Sequence, residues 1–196
     1  MLIIVSGFAG SGKSTLAEAL AVHFGLEFVH ASDLLKKLKT QKVHEIDVKN
    51  TKAGSGFWES AKGKKYLQAR QKDSSMDRAL DKLLLEIAAK GNVVLDSWTM
   101  PWLCKKGFKI WLEVSAKERA RRVARRDGFD EKKVLEKILE RDKITTGIYK
   151  KLYGFEMGAD KKVFGMIIGS DKKTSKEVFV AAVNAAKNYF LKNTAK

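Results

Sequence analysis

Five short apolar runs punctuate the chain: LIIVS (2–6), EFVHA (27–31), NVVLD (92–96), FKIWLEV (108–114) and KVFGMIIGS (162–170). Several are continuous rather than alternating and rich in Val, Ile and Phe, the pattern of strands buried on both faces of a parallel sheet. Helical periodicity separates them. Residues 13–24 put Leu16, Ala19, Leu20 and Phe24 on one face, and residues 75–89 do the same with Met76, Leu80, Leu83, Leu84 and Ile87. Residues 174–191 align Val178, Ala181, Ala182, Ala185, Ala186 and Tyr189. Alternating strands and helices predict an α/β fold with right-handed crossovers.

Two stretches break the alternation, each too long for a simple connection. One spans about 32–74. The other, about 117–156, is basic and helix-like, with a helical stretch at 131–143. Both read as helical inserts above the sheet. The core is then 1–31, 75–116 and 157–196 of a single domain. The expected architecture is a P-loop three-layer sandwich with a central five-stranded parallel sheet.

Residues 7–14 spell the whole of G-x-x-x-x-G-K-[ST]: Gly7-Phe8-Ala9-Gly10-Ser11-Gly12-Lys13-Ser14, followed by Thr15. The motif leaves the first predicted strand and enters the first predicted helix, as its mechanism requires. Glycines let backbone N–H groups wrap a phosphate, and the helix N-terminus adds positive potential. Gly7, Ala9, Gly10, Ser11, Gly12, Lys13, Ser14 and Thr15 form the expected ATP cradle, with Lys13 on the β/γ-phosphates and the Ser14 hydroxyl on Mg²⁺. Asp96 closes the run Val93-Val94-Leu95, at the carboxyl end of a parallel strand where ligands bind. It is a candidate for the Mg²⁺ shell or for orienting the acceptor; a turn-capping role is the alternative.

Composition adds charge to this picture. The 196 residues carry 39 Lys and Arg against 23 Asp and Glu, a formal +16. Such a balance suits a polyanionic partner such as RNA, an enzyme of phosphate substrates, or a merely solvated lysine surface. Lysines are spread along the chain, whereas Arg119, Arg121, Arg122, Arg125 and Arg126 fall together. The i,i+4 pair Arg122 and Arg126 suggests a lid face gripping phosphates, since Arg presents a planar fork to phosphate oxygens. A solvated helix paired with Glu118 and Asp127 is the plainer reading, and Arg119 and Arg121 receive no role. Arg141 and Asp142 follow on another helical stretch, and Tyr149 and Tyr153, also i,i+4, read as packing.

The single Cys, Cys104, reads as a small filler side chain and fits a reducing cytoplasm. The three His, at 23, 30 and 44, show no ligand spacing, so no zinc is expected. No apolar run approaches the roughly 18 residues of a membrane span. The N-terminus lacks the basic region and cleavage pattern of a signal peptide. A cytoplasmic monomer is the expectation, with any RNA binding non-specific.

The phosphate loop, the segment beginning Ser32-Asp33-Leu34-Leu35-Lys36, the acid-ended third strand and the Arg-rich segment together resemble a nucleoside monophosphate kinase. The sequences Lys90-Gly91-Asn92-Val93-Val94-Leu95, Phe108–Val114 and Tyr149-Lys150-Lys151-Leu152-Tyr153-Gly154 are most similar to archaeal-type cytidylate kinases. The resemblance spans nearly the whole chain and is weakest over about 40–72. It implies phosphorylation of CMP or dCMP by ATP with Mg²⁺. Carried over by position, it implies that Asp33 and Lys36 start the monophosphate-binding helix. Asp77, Arg78 and Asp81 would face the acceptor, with Asp96, and Arg122, Arg126 and Arg141 would clasp phosphates. The loop Gly169-Ser170-Asp171-Lys172 would border the adenine. The chain departs from the family pattern at Lys36, at Asp96-Ser97-Trp98 where Glu-Gly-Arg is usual, and at Ile148, where Arg is usual. Arg70, Lys150 and Lys151 are candidate substitutes.

Two other functions fit parts of the sequence: a P-loop kinase for a small metabolite of the shikimate or gluconate type, and a basic RNA- or ribosome-associated ATPase.

Overall fold

A computed structural model describes residues 1–38 and 60–194. The elements run β1 (Leu2–Ser6), α1 (Lys13–Phe24), β2 (Glu27–His30), α2 (Ala31–Lys37), α3 (Ala61–Lys72), α4 (Ser75–Lys90), β3 (Val93–Asp96), α5 (Met100–Leu103), β4 (Phe108–Glu113), α6 (Ala116–Asp127), α7 (Glu131–Tyr153), β5 (Met166–Gly169) and α8 (Ser175–Thr194). All five strands pair in parallel, in the order β2-β3-β1-β4-β5.

The sheet separates two cores, which explains why its strands read as continuous apolar runs. From β1, Leu2 and Ile4 face a core built with Leu80, Leu84 and Ile87 of α4 and Leu34 of α2. Ile3 and Val5 point the other way, onto Leu16 and Leu20 of α1 and Val178 and Ala182 of α8. Alternate residues of one strand thus feed opposite layers. The last strand is shorter than its apolar run: β5 begins at Met166, after Gly165 N–H bonds to the Lys109 carbonyl and Phe164 turns onto Trp102 and Trp111.

The basic region 117–156 forms a helical hairpin with its own small core of Ala120, Val123, Ala124, Val134 and Ile138. Local signals set its ends. The Ser115 hydroxyl accepts the Glu118 N–H, Gly128 closes α6 at φ 71°, and Asp130 caps α7 through the Lys133 N–H. The helical stretch expected at 131–143 is part of one 23-residue helix that runs on to Tyr153, so Arg141 and both tyrosines share a single rod. Within the region 32–74, α2 and α3 are described; Tyr66 of α3 donates to the Leu35 carbonyl at 3.1 Å and fastens the two together. The segment 39–59 lies outside the described residues. Among the described residues, no helix is long and apolar enough to cross a membrane.

Candidate active site

Gly7 to Gly12 carry the chain from β1 into α1, with Gly10 at φ 79° and Gly12 at φ 89°. These left-handed values favour glycine. At Gly10 space is limiting as well: a Cβ would sit 2.9 Å from the Arg119 carbonyl and from a Val123 methyl. The loop is therefore closely backed by α6. Arg119, 4% exposed, does this backing. Its Nη1 donates to the Ala9 carbonyl at 3.0 Å and to Asp142 Oδ2 at 2.7 Å, and its Nε donates to the Val114 carbonyl at 3.2 Å.

Beyond the loop, Ser14 Oγ donates to Asp96 Oδ2 at 2.5 Å. His30 Nε2 lies 3.2 Å from the same oxygen. Burial alone would raise the Asp96 pKa, but Lys13, His30 and the hydrogen bonds from His30 and Ser14 outweigh it and hold the carboxyl at about 2. Burial lowers the Lys13 pKa, opposed by the Asp96 charge. The Lys13 ammonium stands 5.7 Å from the Trp98 ring centre, and the Arg141 guanidinium 5.0 Å from it. One indole therefore holds two cations beside the phosphate loop.

Two concavities flank this point. A cavity of ≈ 560 Å³ lies on the side of Gly10, Gly12 and Thr15, with Arg122, Arg126 and Ser170 in its wall. A pocket of ≈ 30 Å³ lies on the other side, where Lys13 and Asp96 meet Arg70, Trp98, Arg141 and Tyr149. The first has the dimensions of a ligand site; the second has room for about one water as it stands and must widen to admit a nucleotide phosphate.

Several expected residues occupy other places than their sequence positions suggested. Arg122 lies in the larger cavity, tied to Glu118 at 2.9 Å, the Ser11 carbonyl at 3.2 Å and the Ser170 carbonyl at 2.6 Å. It therefore bridges the phosphate loop and the loop after β5. Arg126 also lines this cavity but is half exposed and paired with Asp127. Arg78, expected to face the acceptor, is exposed and donates to Ser74 Oγ at 3.4 Å, because its neighbours Asp77, Leu80 and Asp81 take the inward face of α4. Asp33 and Lys36 pair with each other at 3.3 Å, and neither lines the small pocket; Ala31, Ser32 and Leu35 of α2 do.

Asp77 and Asp81 are buried behind the pocket. Asp77 binds the Arg70 guanidinium through both oxygens, at 2.5 and 3.1 Å, and so presents Arg70 to the pocket. Asp81 accepts from Thr99 at 2.5 Å and Tyr153 at 2.7 Å. Burial raises the Asp81 pKa to about 6, with those two hydrogen bonds pulling it back. Sequence reading missed three participants. Tyr149, read as packing, accepts from Arg70 at 3.2 Å and lines the small pocket. Arg119 and His30 are the others. Ile148 is buried among Trp98, Trp111 and Phe155, so the position expected to carry a phosphate-binding Arg serves the apolar root of α7. Cys104 is buried and free, as its filler role requires.

The Ser14 hydroxyl and the strongly ionised Asp96 carboxylate converge on one point, a hard-oxygen pair suited to Mg²⁺. Among the described residues no cluster of three or more His, Cys, Asp or Glu forms an all-protein cage. Mg²⁺ takes one or two protein ligands and completes its shell with phosphate oxygens and water.

A parallel sheet with a phosphate loop after β1, an Arg-bearing helical hairpin and pockets on both sides of Lys13 defines a P-loop phosphotransferase. Solved structures agree on the fold. An uncharacterized protein from Eubacterium ventriosum matches at TM-score 0.63, with 16% identity, over 95% of this chain and 98% of that one. Shikimate kinase from Bacteroides thetaiotaomicron matches at TM-score 0.55, with 16% identity, over 97% and 98%. Sequence narrows the class. Residues 2–172 match the cytidylate kinase-like family. Cytidylate kinase of Ignicoccus hospitalis is 33% identical over 160 residues, covering 81% of this chain and 83% of that protein. Cytidylate kinase of Pyrococcus horikoshii is 32% identical over 158 residues, covering 80% and 73%. The chain belongs to the cytidylate kinase-like family, and the metabolite-kinase and RNA-associated readings are not favoured.

Proposed function

We propose that the protein transfers the γ-phosphoryl group of ATP to CMP or dCMP, giving CDP or dCDP, with Mg²⁺ held by Ser14 and Asp96. The observation that carries this is the junction of Lys13, Ser14 and Asp96 between a large cavity and an arginine-bearing pocket. ATP occupies the larger cavity, its phosphates in the N–H cradle from Gly7 to Thr15. Arg122 and Arg126 close over it from α6, and the loop 169–172 borders the adenine. The acceptor phosphate meets Arg70 and Arg141, with Lys13 between donor and acceptor. Asp77 fixes the Arg70 fork, and Asp81 fixes Thr99. Asp33 and Lys36 brace α2 by pairing with each other along it.

A phosphate oxygen is already a competent nucleophile at neutral pH, so no strong base is required. Positioning and charge neutralisation carry the rate. Mg²⁺, when bound, neutralises charge on the donor phosphates. Trp98 holds Lys13 and Arg141 over its ring, which attracts both cations while leaving their polar hydrogens to face phosphate oxygens. The test is a coupled assay of ADP release with ATP and each nucleoside monophosphate in turn. CMP and dCMP should turn over fastest. No ADP above the acceptor-free rate with any monophosphate would overturn the proposal.

A further inference from the structure

His30 ends β2, and α2 starts at the next residue. Its ring is buried and touches two elements at once. Nδ1 accepts the backbone N–H of Asp33 at 3.2 Å, capping the first turn of α2. Nε2 lies 3.2 Å from Asp96 Oδ2, the oxygen that also takes the Ser14 hydroxyl at 2.5 Å. A ring nitrogen that accepts a hydrogen bond carries no proton, so the ring proton sits on Nε2 and is donated to Asp96. Strand register supports the contact, because His30 and Asp96 are directly paired between β2 and β3.

One imidazole thus joins two functional surfaces. The turn it caps contributes Ala31 and Ser32 to the acceptor-side pocket. The carboxylate it holds belongs to the phosphate loop's hydroxyl partner. Neither bond tolerates much rotation of the ring without loss of the other, because the two nitrogens flank one carbon in a rigid ring and their outward directions are fixed relative to each other. A shift of α2 on acceptor binding therefore moves the donor to Asp96, and an altered Asp96 pulls on the cap of α2.

We propose that His30 is a positioning residue that couples the acceptor-binding helix α2 to the Ser14–Asp96 pair, so that occupancy of one side tightens binding at the other. Coupling of this kind is reciprocal. The proposal rests on the reading of the two sides as monophosphate and ATP sites.

Two substitutions separate the two bonds. His30→Asn keeps a capping oxygen at the place of Nδ1 but is too short to reach Asp96. His30→Gln brings an amide N–H to the place of Nε2 but gives up the cap. Isothermal titration calorimetry measures CMP affinity with and without ADP and Mg²⁺, a combination that supports no turnover. In the wild type, ADP with Mg²⁺ should tighten CMP binding about fivefold or more, the lower end of ordinary coupling. In both variants that ratio should fall toward one, while CMP binding alone persists. A variant that keeps the wild-type ratio would overturn the proposal, since cap or contact alone would then suffice. So would a wild-type ratio of one. Failure of the wild type to bind CMP at all would instead remove the reading of the site. The wild-type imidazole ¹⁵N spectrum gives a check that needs no substitution: an Nδ1–H tautomer would also overturn it.

Discussion

Replacing Arg119 by Met tests whether the phosphate loop is clamped by a buried charge. The guanidinium holds the Ala9 carbonyl, the Val114 carbonyl and Asp142, and its Cζ lies over the Phe8 ring, 5.2 Å from the ring centre. Asp142 is 8% exposed, and its other oxygen, Oδ1, is buried with no hydrogen-bond partner. Burial raises the Asp142 pKa, and the Arg119 charge is the main force against it. Met fills the stem volume but strands the carboxylate. Removing one partner of a buried pair costs about 3–5 kcal/mol. For a chain of 196 residues, each kcal/mol lowers Tm by about 2–4 °C, so Arg119→Met should lose about 6–20 °C. Asp142→Asn should cost less, because Arg119 keeps both carbonyls. The double variant Arg119→Met/Asp142→Asn should then be more stable than the sum of the single losses predicts, by about 1–3 kcal/mol.

Thermal unfolding of the four proteins measures the cycle. The Asp142 carboxyl in Arg119→Met gains a proton more readily in the folded than in the unfolded chain. Its stability deficit should therefore shrink as pH falls, and that of the double variant should not. Steady-state kinetics should show kcat down by about 10²-fold in Arg119→Met, the scale of a loop displaced by an ångström. Strict additivity within 0.5 kcal/mol, or an unchanged Tm, would refute the clamp.

Ser14→Ala and Asp96→Asn should each lower kcat by about 10²–10³-fold and shift the Mg²⁺ dependence of activity to higher concentration, read by titrating Mg²⁺ at fixed ATP. Asp81 has a folded pKa near 6 against an ordinary 3.8, so it favours the folded state most below the ordinary value, and that contribution is lost as pH rises through about 6. The loss is at most about 3 kcal/mol, and Tm against pH should show it between about pH 4 and 6 in the wild type and not in Asp81→Asn. Asp96, held at about 2, acts in the opposite sense and lower, losing its contribution as pH falls from 3.8 toward 2. Arg78→Ala should leave stability within about 0.5 kcal/mol and kinetics unchanged, because Arg78 is exposed on the outer face of α4; a large rise in acceptor KM would contradict its position.

What the chain states locally is legible in it. The phosphate loop is eight consecutive residues whose backbone does the work, so strand, glycines and helix start can all be read in order. The five strands are legible because burial on both faces makes them apolar throughout. The acceptor side was harder for a definite reason: it is assembled from residues far apart. Arg70 meets Tyr149 across 79 positions, and Asp81 meets Tyr153 across 72. Within helices the error was rotational phase. Arg119 shares its inward face with Ala120, Val123 and Ala124, and Asp77 and Asp81 share theirs with Leu80 and Leu84. Charged residues in step with an apolar stripe are the ones that act inside, and Arg78 is one step off. His30 had no such signal: a lone histidine at a strand end shows its purpose only when β3 is beside it.

The three departures from the family pattern acquire a common sense in the fold. An Arg at 148 would have to enter a cluster with Trp98, Trp111 and Phe155, and Ile148 instead completes that cluster. The cluster then forms the dry wall on which Trp98 stands, facing Lys13 and Arg141. A guanidinium at 98 would add a third positive charge next to these two, and burial already lowers the Lys13 pKa. An indole there attracts both cations without neutralising either. Lys36 turns to Asp33, leaving the acceptor side to Arg70 and Arg141. Arg70, fixed by Asp77, and Arg141, stacked on Trp98, are then the two cations on which acceptor-phosphate affinity should depend.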